Sequence, residues 1–144
     1  MIDQKNNKFA AKHQNKTQIN TIIKNEILKQ NKDGKLPCLV TFQIADSLQV
    51  AAAEVGRTVD LLNFRLTKCQ LGLFGYKPEK KTIKAKEPED QNLKTAIKDR
   101  LIEGRLSCIS AWEIASKFNV PKMIVSSACE ALNIKIIKCQ LGAF

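Results

Sequence analysis

The 144-residue sequence contains no long apolar segment, and its first residues are polar. A membrane-spanning helix needs about 18 or more consecutive, predominantly apolar residues, and no such run occurs, so we expect no membrane span. The N-terminal residues also lack the apolar core of a secretory signal. The five cysteines are an odd number without such a signal, which is typical of reduced thiols in a cytoplasmic protein.

Several features that catalysis or metal binding requires are also missing. The single histidine, His13, lies in the polar N-terminal segment, and no two cysteines form a C-x-x-C pair, which disfavours a metal site. There is no glycine-rich phosphate loop and no nucleophile elbow. Four acidic residues lie on predicted helices without a histidine or nucleophile partner, so no acid–base pair is predicted. They are Asp46, Asp60, Glu113 and Glu130. We expect no enzymatic activity, no cofactor and no small-molecule substrate.

The charge balance is strongly basic, with a formal net charge of +10 and a sequence pI of about 9.5. A balance of this size is compatible with a nucleic-acid partner. The abundant Lys, Asn and Ile that an AT-rich genome encodes would give the same charge without such a partner. Composition therefore leaves both interpretations open.

The chain contains an internal repeat. An offset of 70 aligns residues 23–74 with 93–144 without a gap, and 17 of the 52 pairs are identical. The best-matched stretch is Lys-Cys-Gln-Leu-Gly at 68–72 and again at 138–142. Gapless alignment matters because one inserted residue would rotate a helix face by about 100°. The pattern therefore indicates a duplication of one structural unit.

The repeat divides the chain into four predicted parts. Residues 1–17 are polar and Lys-rich, and we expect a disordered basic tail. Residues 18–74 form the first unit, and residues 93–144 form the second. Residues 75–92 between them contain two prolines and many charges, which predicts a polar linker.

Two cysteine positions recur in both units. Cys38 corresponds to Cys108, and Cys69 corresponds to Cys139. Free cysteine usually behaves as a small buried apolar residue, so we expect these side chains to pack in the core. A metal-binding or redox-sensing pair is the alternative.

The second copy predicts three helices. Leu93 to Ile102 carry apolar residues at helical spacing, and Gly104 follows as a stop signal. Ser110 and Glu113 have the spacing of a capping box for a second helix, which would extend to Phe118. In the first copy, Thr41 or the residue before it would start the equivalent helix.

A turn, a third helix and a strand complete each copy. Asn119 tolerates the left-handed conformation that a tight turn needs, and Pro121 favours the first turn of a new helix. That helix would end near Asn133. The β-branched segment 134–139 then predicts a short strand, as does the alternating segment 64–69 in the first copy.

The segment from Ala111 to Ala128 resembles the helix-turn-helix pattern of DNA-binding regulators. That pattern has a small residue where two helices cross, apolar residues around it, and a residue at the turn that accepts a left-handed conformation. In the second copy these are Ile114, Ala115, Phe118, Asn119, Val120 and Val125. In the first copy they are Ile44, Ala45, Leu48, Gln49, Val50 and Val55. The resemblance implies a mainly α fold of two tandem winged-helix-like units, each with three helices and one short strand.

One departure from the winged helix concerns its two-stranded hairpin, because Phe144 comes too soon after the second strand for a return strand. An isolated strand leaves unpaired backbone groups. We therefore expect the strands at 64–70 and 134–140 to pair with each other, or with those of a second chain in a homodimer.

The resemblance also implies a function and a set of contact residues. It implies a small transcriptional regulator that binds double-stranded DNA, with the second helix of each motif in the major groove. By position, base contacts would come from Ala51, Ala52, Gly56, Arg57, Pro121, Lys122, Ser126 and Ser127. Phosphates would be bound by Lys68, Lys138 and the basic tail. Only Arg57 could form a bidentate contact with guanine, so a protein-interaction module on the same scaffold is the alternative.

Overall fold

The computed structural model describes residues 20–76 and 81–144, which form six helices and four short strands. The chain divides into two compact units. Unit 1 comprises the residues up to Lys68 together with Leu141–Ala143, and unit 2 comprises Cys69–Gln140 with Phe144. The predicted basic tail and four residues of the predicted linker, 77–80, lie outside the described residues.

Both units have the same order of elements. Unit 1 contains α1 (Thr21–Gln30), β1 (Lys35–Pro37), α2 (Cys38–Leu48), α3 (Ala52–Leu61) and β2 (Arg65–Thr67). Unit 2 contains α4 (Gln91–Asp99), β3 (Arg105–Ser107), α5 (Cys108–Phe118), α6 (Lys122–Ala131) and β4 (Lys135–Ile137). Within the described ranges, no single helix is long and apolar enough to cross a membrane, and α2 and α3 meet that test only when joined across their bend.

The bend between the second and third helices of each unit is made by the predicted turn residues. Gln49 and Asn119 both have a φ of 54°, in the left-handed region, so this prediction is confirmed. In unit 1 the chain direction changes by 118° between α2 and α3. This angle lies within the 90–120° range of two helices that cross after a short turn.

The predicted starts of the second helices are wrong by about one turn. In unit 2 the N-cap is Ser107, whose hydroxyl accepts a hydrogen bond from the Ser110 backbone N–H at 3.2 Å. Ser110 lies inside α5, and its Oγ accepts a hydrogen bond from Arg100. In unit 1, α2 starts at Cys38, and the Thr41 hydroxyl donates to the Pro37 carbonyl. Ser110 therefore bonds to Arg100 at the end of α4 and does not cap α5.

The predicted pairing of the two repeat strands is also wrong. β2 pairs in parallel with β1, and β4 pairs in parallel with β3, each within its own unit. The partner strands are only three residues long and follow a tight turn, in which Asp33-Gly34 and Glu103-Gly104 all have positive φ. Two such residues in sequence form the turn that reverses a chain most tightly. The turn places β1 beside β2 and β3 beside β4. One edge of each later strand is therefore paired by backbone hydrogen bonds within its own unit.

Each unit has a core of aliphatic side chains between its helices and the inward face of its sheet. In unit 2 this core includes Leu93, Ile97, Leu106, Ile114 and Val125. It also includes Cys69 and Leu71, which follow β2 in the sequence. In unit 1, the backbone of Leu141 approaches Gly56 of α3 so closely that a Cβ on Gly56 would lie 2.0 Å from the Leu141 carbonyl oxygen. The glycine is therefore required by packing.

Candidate nucleic-acid interface

Most of the predicted base-contact residues on and before α3 cannot reach a DNA base. Gly56 is buried beneath the Leu141 backbone, which corrects the expectation that it faces a partner. The Arg57 guanidinium donates to the Glu54 carboxylate from Nη2 at 2.8 Å and from Nε at 3.2 Å, so its charge is neutralised locally. Ala51 is exposed and Ala52 is half-buried, but neither side chain discriminates between bases.

The equivalent helix of unit 2, α6, presents a similarly restricted surface. Ser126 is only 1% exposed, so this predicted contact is also wrong. Lys122 lies over the Trp112 ring, with its Nζ 4.6 Å from the ring centroid. Ser127 is half-buried, and its carbonyl accepts a hydrogen bond from the Lys86 N–H at 3.1 Å. Pro121 is the only one of the four that is exposed.

The segment before α4 lies against this face of α6. Residues 86–90 and the side chains of Val120, Ile124 and Ser127 enclose a cavity of about 230 Å³. Pro88 is buried there, and the segment contributes three acidic side chains, Glu87, Glu89 and Asp90. Lys86 offsets one of these charges, and the net negative charge that remains beside the third helix opposes the approach of a phosphate backbone.

The predicted phosphate contacts remain accessible. Lys68 and Lys138 are exposed, and each directly follows the last strand of its repeat. Both have a positive φ, 48° and 55°, which turns the chain immediately after the strand. Neither lysine forms an ion pair with another described residue, so both charges face solvent.

The structure adds a pair of cations to each sheet that the sequence interpretation missed. Lys35 on β1 is the register partner of Arg65 on β2, and Arg105 on β3 is the register partner of Lys135 on β4. The next residues of each strand are buried apolar side chains, Leu36 and Leu66 in unit 1. Because side chains alternate across a strand, the two cations of each pair lie together on the outer face.

The pair in unit 2, Arg105 with Lys135, is electrostatically unfavourable for folding. Neighbouring strands lie about 4.8 Å apart, and like charges directly opposite each other destabilise a sheet. Arg65, Arg105 and Lys135 are exposed and form no ion pair with any residue of the described ranges. Because unit 1 also carries cations at these two positions, the uncompensated pair of unit 2 supports a role for the positions outside folding.

The repeat marks these four positions by keeping their positive charge in both copies. Between the copies Lys35 becomes Arg105, and Arg65 becomes Lys135, so the positive charge is kept while the residue type changes at both positions. Most other exposed positions differ in charge or polarity between copies. Without the partner strands, however, nothing in the sequence places positions 30 residues apart beside each other.

The cysteines form no metal-binding site in the described part of the chain. No group of three or more His, Cys, Asp or Glu side chains there could hold a metal ion. Four of the five free cysteines are buried, as the core-packing interpretation predicts. Burial raises the pKa of the Cys69 and Cys108 thiols, and it raises the pKa of Cys129 to about 12. Buried thiols of this kind remain protonated and chemically inert near neutral pH.

No family model, curated protein or solved structure matches this chain.

Proposed function

We propose that the protein is a small DNA-binding regulator, built from two helix-turn-helix units, that holds a duplex mainly through its phosphates. The observation that carries this proposal is the cation pair on each sheet, Lys35 with Arg65 and Arg105 with Lys135. With Lys68 and Lys138, each unit then offers three cations beside its strands. The same proposal places the protein in the cytoplasm with the DNA.

The geometry of the third helices limits how this binding would discriminate between sequences. Six of the ten residues of α3 are buried, and the segment 86–90 lies along α6. Sequence readout in the major groove needs exposed side chains that reach base edges. We therefore infer that the affinity depends strongly on salt and weakly on sequence.

The test is the salt dependence of binding to a random-sequence duplex. Each neutralised phosphate contributes about −0.9 to the slope of log K against log salt concentration, so six cations give a limiting slope of about −5. Substitution of Lys35, Arg65, Arg105 and Lys135 by Gln should reduce the magnitude of the slope by about 3 to 4.

A variant with the same net charge serves as the control. Substitution of Lys24, Lys29, Lys94 and Lys98 by Gln removes four cations from α1 and α4 and leaves both sheets intact. This control should change the slope by less than one phosphate contact. A wild-type slope near zero would reject DNA binding, and equal losses in both variants would reject the sheet as the interface.

A protein-interaction module is the second candidate, and one feature favours it. Leu39 and Ile109 occupy equivalent positions in α2 and α5, and they are 51% and 52% exposed. A single exposed aliphatic side chain is ordinary on a protein surface, and it is the recurrence of one at the same position of both units that supports a contact surface for another protein. Replacement of both by Ser should abolish binding of a protein partner and leave the salt slope for DNA unchanged.

A further inference from the structure

Unit 2 contains a largely apolar cavity of about 300 Å³. Its walls come from the segment after β2, from α6, from β4 and from Phe144. The rings of Phe74 and Phe144 form one wall and meet edge to face, with centroids 6.1 Å apart. The volume is at the lower end of the range for small-molecule sites, and it suits a body of about one aromatic ring.

Ser126 lies at this cavity and carries a buried hydroxyl. The Ser126 side chain is 1% exposed, and its Oγ has no hydrogen-bond partner among the described residues. Serine hydroxyls within helices commonly donate to the carbonyl four residues earlier, but this hydroxyl does not. A buried hydroxyl without a partner is rare in folded proteins and needs an explanation. A polar atom of a bound molecule would satisfy it.

The repeat shows that this hydroxyl is not required by the scaffold. The equivalent position in unit 1 is Gly56, where the Leu141 backbone occupies the space of a side chain. The two units therefore differ at this position, and only unit 2 has a serine there, at the cavity. The buried hydroxyl is therefore a feature of unit 2 alone.

The remaining polar side chains at the cavity carry net positive charge. Lys81 and Glu130 form an ion pair with Nζ and Oε1 2.5 Å apart, so their charges cancel. Lys135 also lines the cavity, is exposed, and forms no ion pair within the described ranges. The Lys135 ammonium, which no acidic side chain of the described ranges neutralises, favours an anionic group on the bound molecule.

We propose that this cavity binds a small aromatic carboxylate that carries a second polar group. The ring lies against Phe74 and Phe144, the carboxylate pairs with Lys135, and the second polar group forms a hydrogen bond with the Ser126 hydroxyl. Such a molecule pairs both polar groups of the cavity at once. Binding of this ligand needs no DNA, so its test is independent of the proposed function.

Two probes that differ by one hydroxyl test the proposal by isothermal titration calorimetry without DNA. 4-Hydroxyphenylacetate carries all three features, and phenylacetate lacks the second polar group. The wild-type protein should bind both at one site, and it should bind the hydroxylated probe several-fold more tightly, up to about tenfold. Ser126→Ala should abolish that preference and leave phenylacetate binding unchanged.

Substitutions of two lysines separate charge at the cavity from overall charge. Lys135→Gln should lower the affinity for both probes by roughly tenfold. Lys98→Gln, on an exposed turn of α4, should leave both affinities unchanged. The neutral analogue 4-hydroxyphenylacetamide should bind as weakly as the acid binds to the Lys135→Gln variant. The proposal is overturned if neither acid shows saturable binding, or if binding is insensitive to both Ser126→Ala and Lys135→Gln.

Discussion

Substitution of Gly56 by Ala tests the close approach of the Leu141 backbone to α3 in unit 1. The added Cβ would lie 2.0 Å from the Leu141 carbonyl oxygen and 2.7 Å from its carbonyl carbon. Real Cβ atoms essentially never come closer than 3.0 Å to a non-bonded heavy atom of another part of the chain, so the Leu141 backbone and α3 must separate by at least 1 Å. A backbone segment cannot rotate away as a flexible side chain does, and this strain should exceed any benefit of alanine.

The magnitude follows from two opposing effects. Overpacking a tight contact costs typically 1–3 kcal/mol, and more where backbone must shift. Replacement of Gly by Ala within a helix contributes up to about 1 kcal/mol of stabilisation. We expect a net loss of about 2 kcal/mol in the free energy of unfolding, which corresponds to a decrease in Tm of roughly 4–8 °C.

A matched substitution at the equivalent position in unit 2 should change the free energy of unfolding in the opposite direction. Ser126→Ala removes a buried hydroxyl that has no partner among the described residues, and it improves helix propensity. We expect stabilisation of about 1 kcal/mol. Urea denaturation followed by circular dichroism measures both variants. If Gly56→Ala stabilised the protein as it would at an exposed helix position, the close approach of Leu141 to α3 would be refuted.

Ser107→Ala removes the N-cap of α5 and should lower the urea midpoint by the equivalent of about 1 kcal/mol; an unchanged midpoint would show that the cap contributes nothing. Gln49→Gly relieves a left-handed residue at the turn after α2 and should stabilise the protein by about 0.5–1 kcal/mol, whereas destabilisation would contradict the strain. Burial raises the pKa of Cys129 from 9.0 to about 12, so its contribution to stability is present below pH 9 and is lost as the pH rises towards 12. Stability measured above pH 9 should therefore fall less steeply in Cys129→Ala than in the wild type, and identical profiles would refute this assignment.

The sequence predicted the elements that depend on local chemistry. Helical spacing, capping residues and turn residues located the three helices of the second copy, and Gln49 and Asn119 have the conformation expected of them. The last strand was found as well, although it is shorter than the β-branched segment 134–139. These features rest on residues within a few positions of each other, where propensity and periodicity are informative.

Features that depend on distant contacts could not be predicted in the same way. A three-residue strand such as β1 has almost no periodicity, and its partner Arg65 lies 30 positions further along the chain. The burial of Gly56 depends on the Leu141 backbone, 85 positions away. The candidate site was missed for the same reason, because the cation pairs exist only once β1 and β2 are paired.

The composition of unit 1 has a consequence for synthesis of the protein in the cell. Chains are made from the N-terminus at about 5–20 residues per second, and small domains usually fold as they emerge. Unit 1 includes Leu141–Ala143, about 70 positions beyond Lys68. The contact between Leu141 and α3 can therefore form only after roughly 4–14 s of further translation. During that interval α3 lacks the segment that covers Gly56, so the nascent N-terminal half depends on the last part of the chain for its completion.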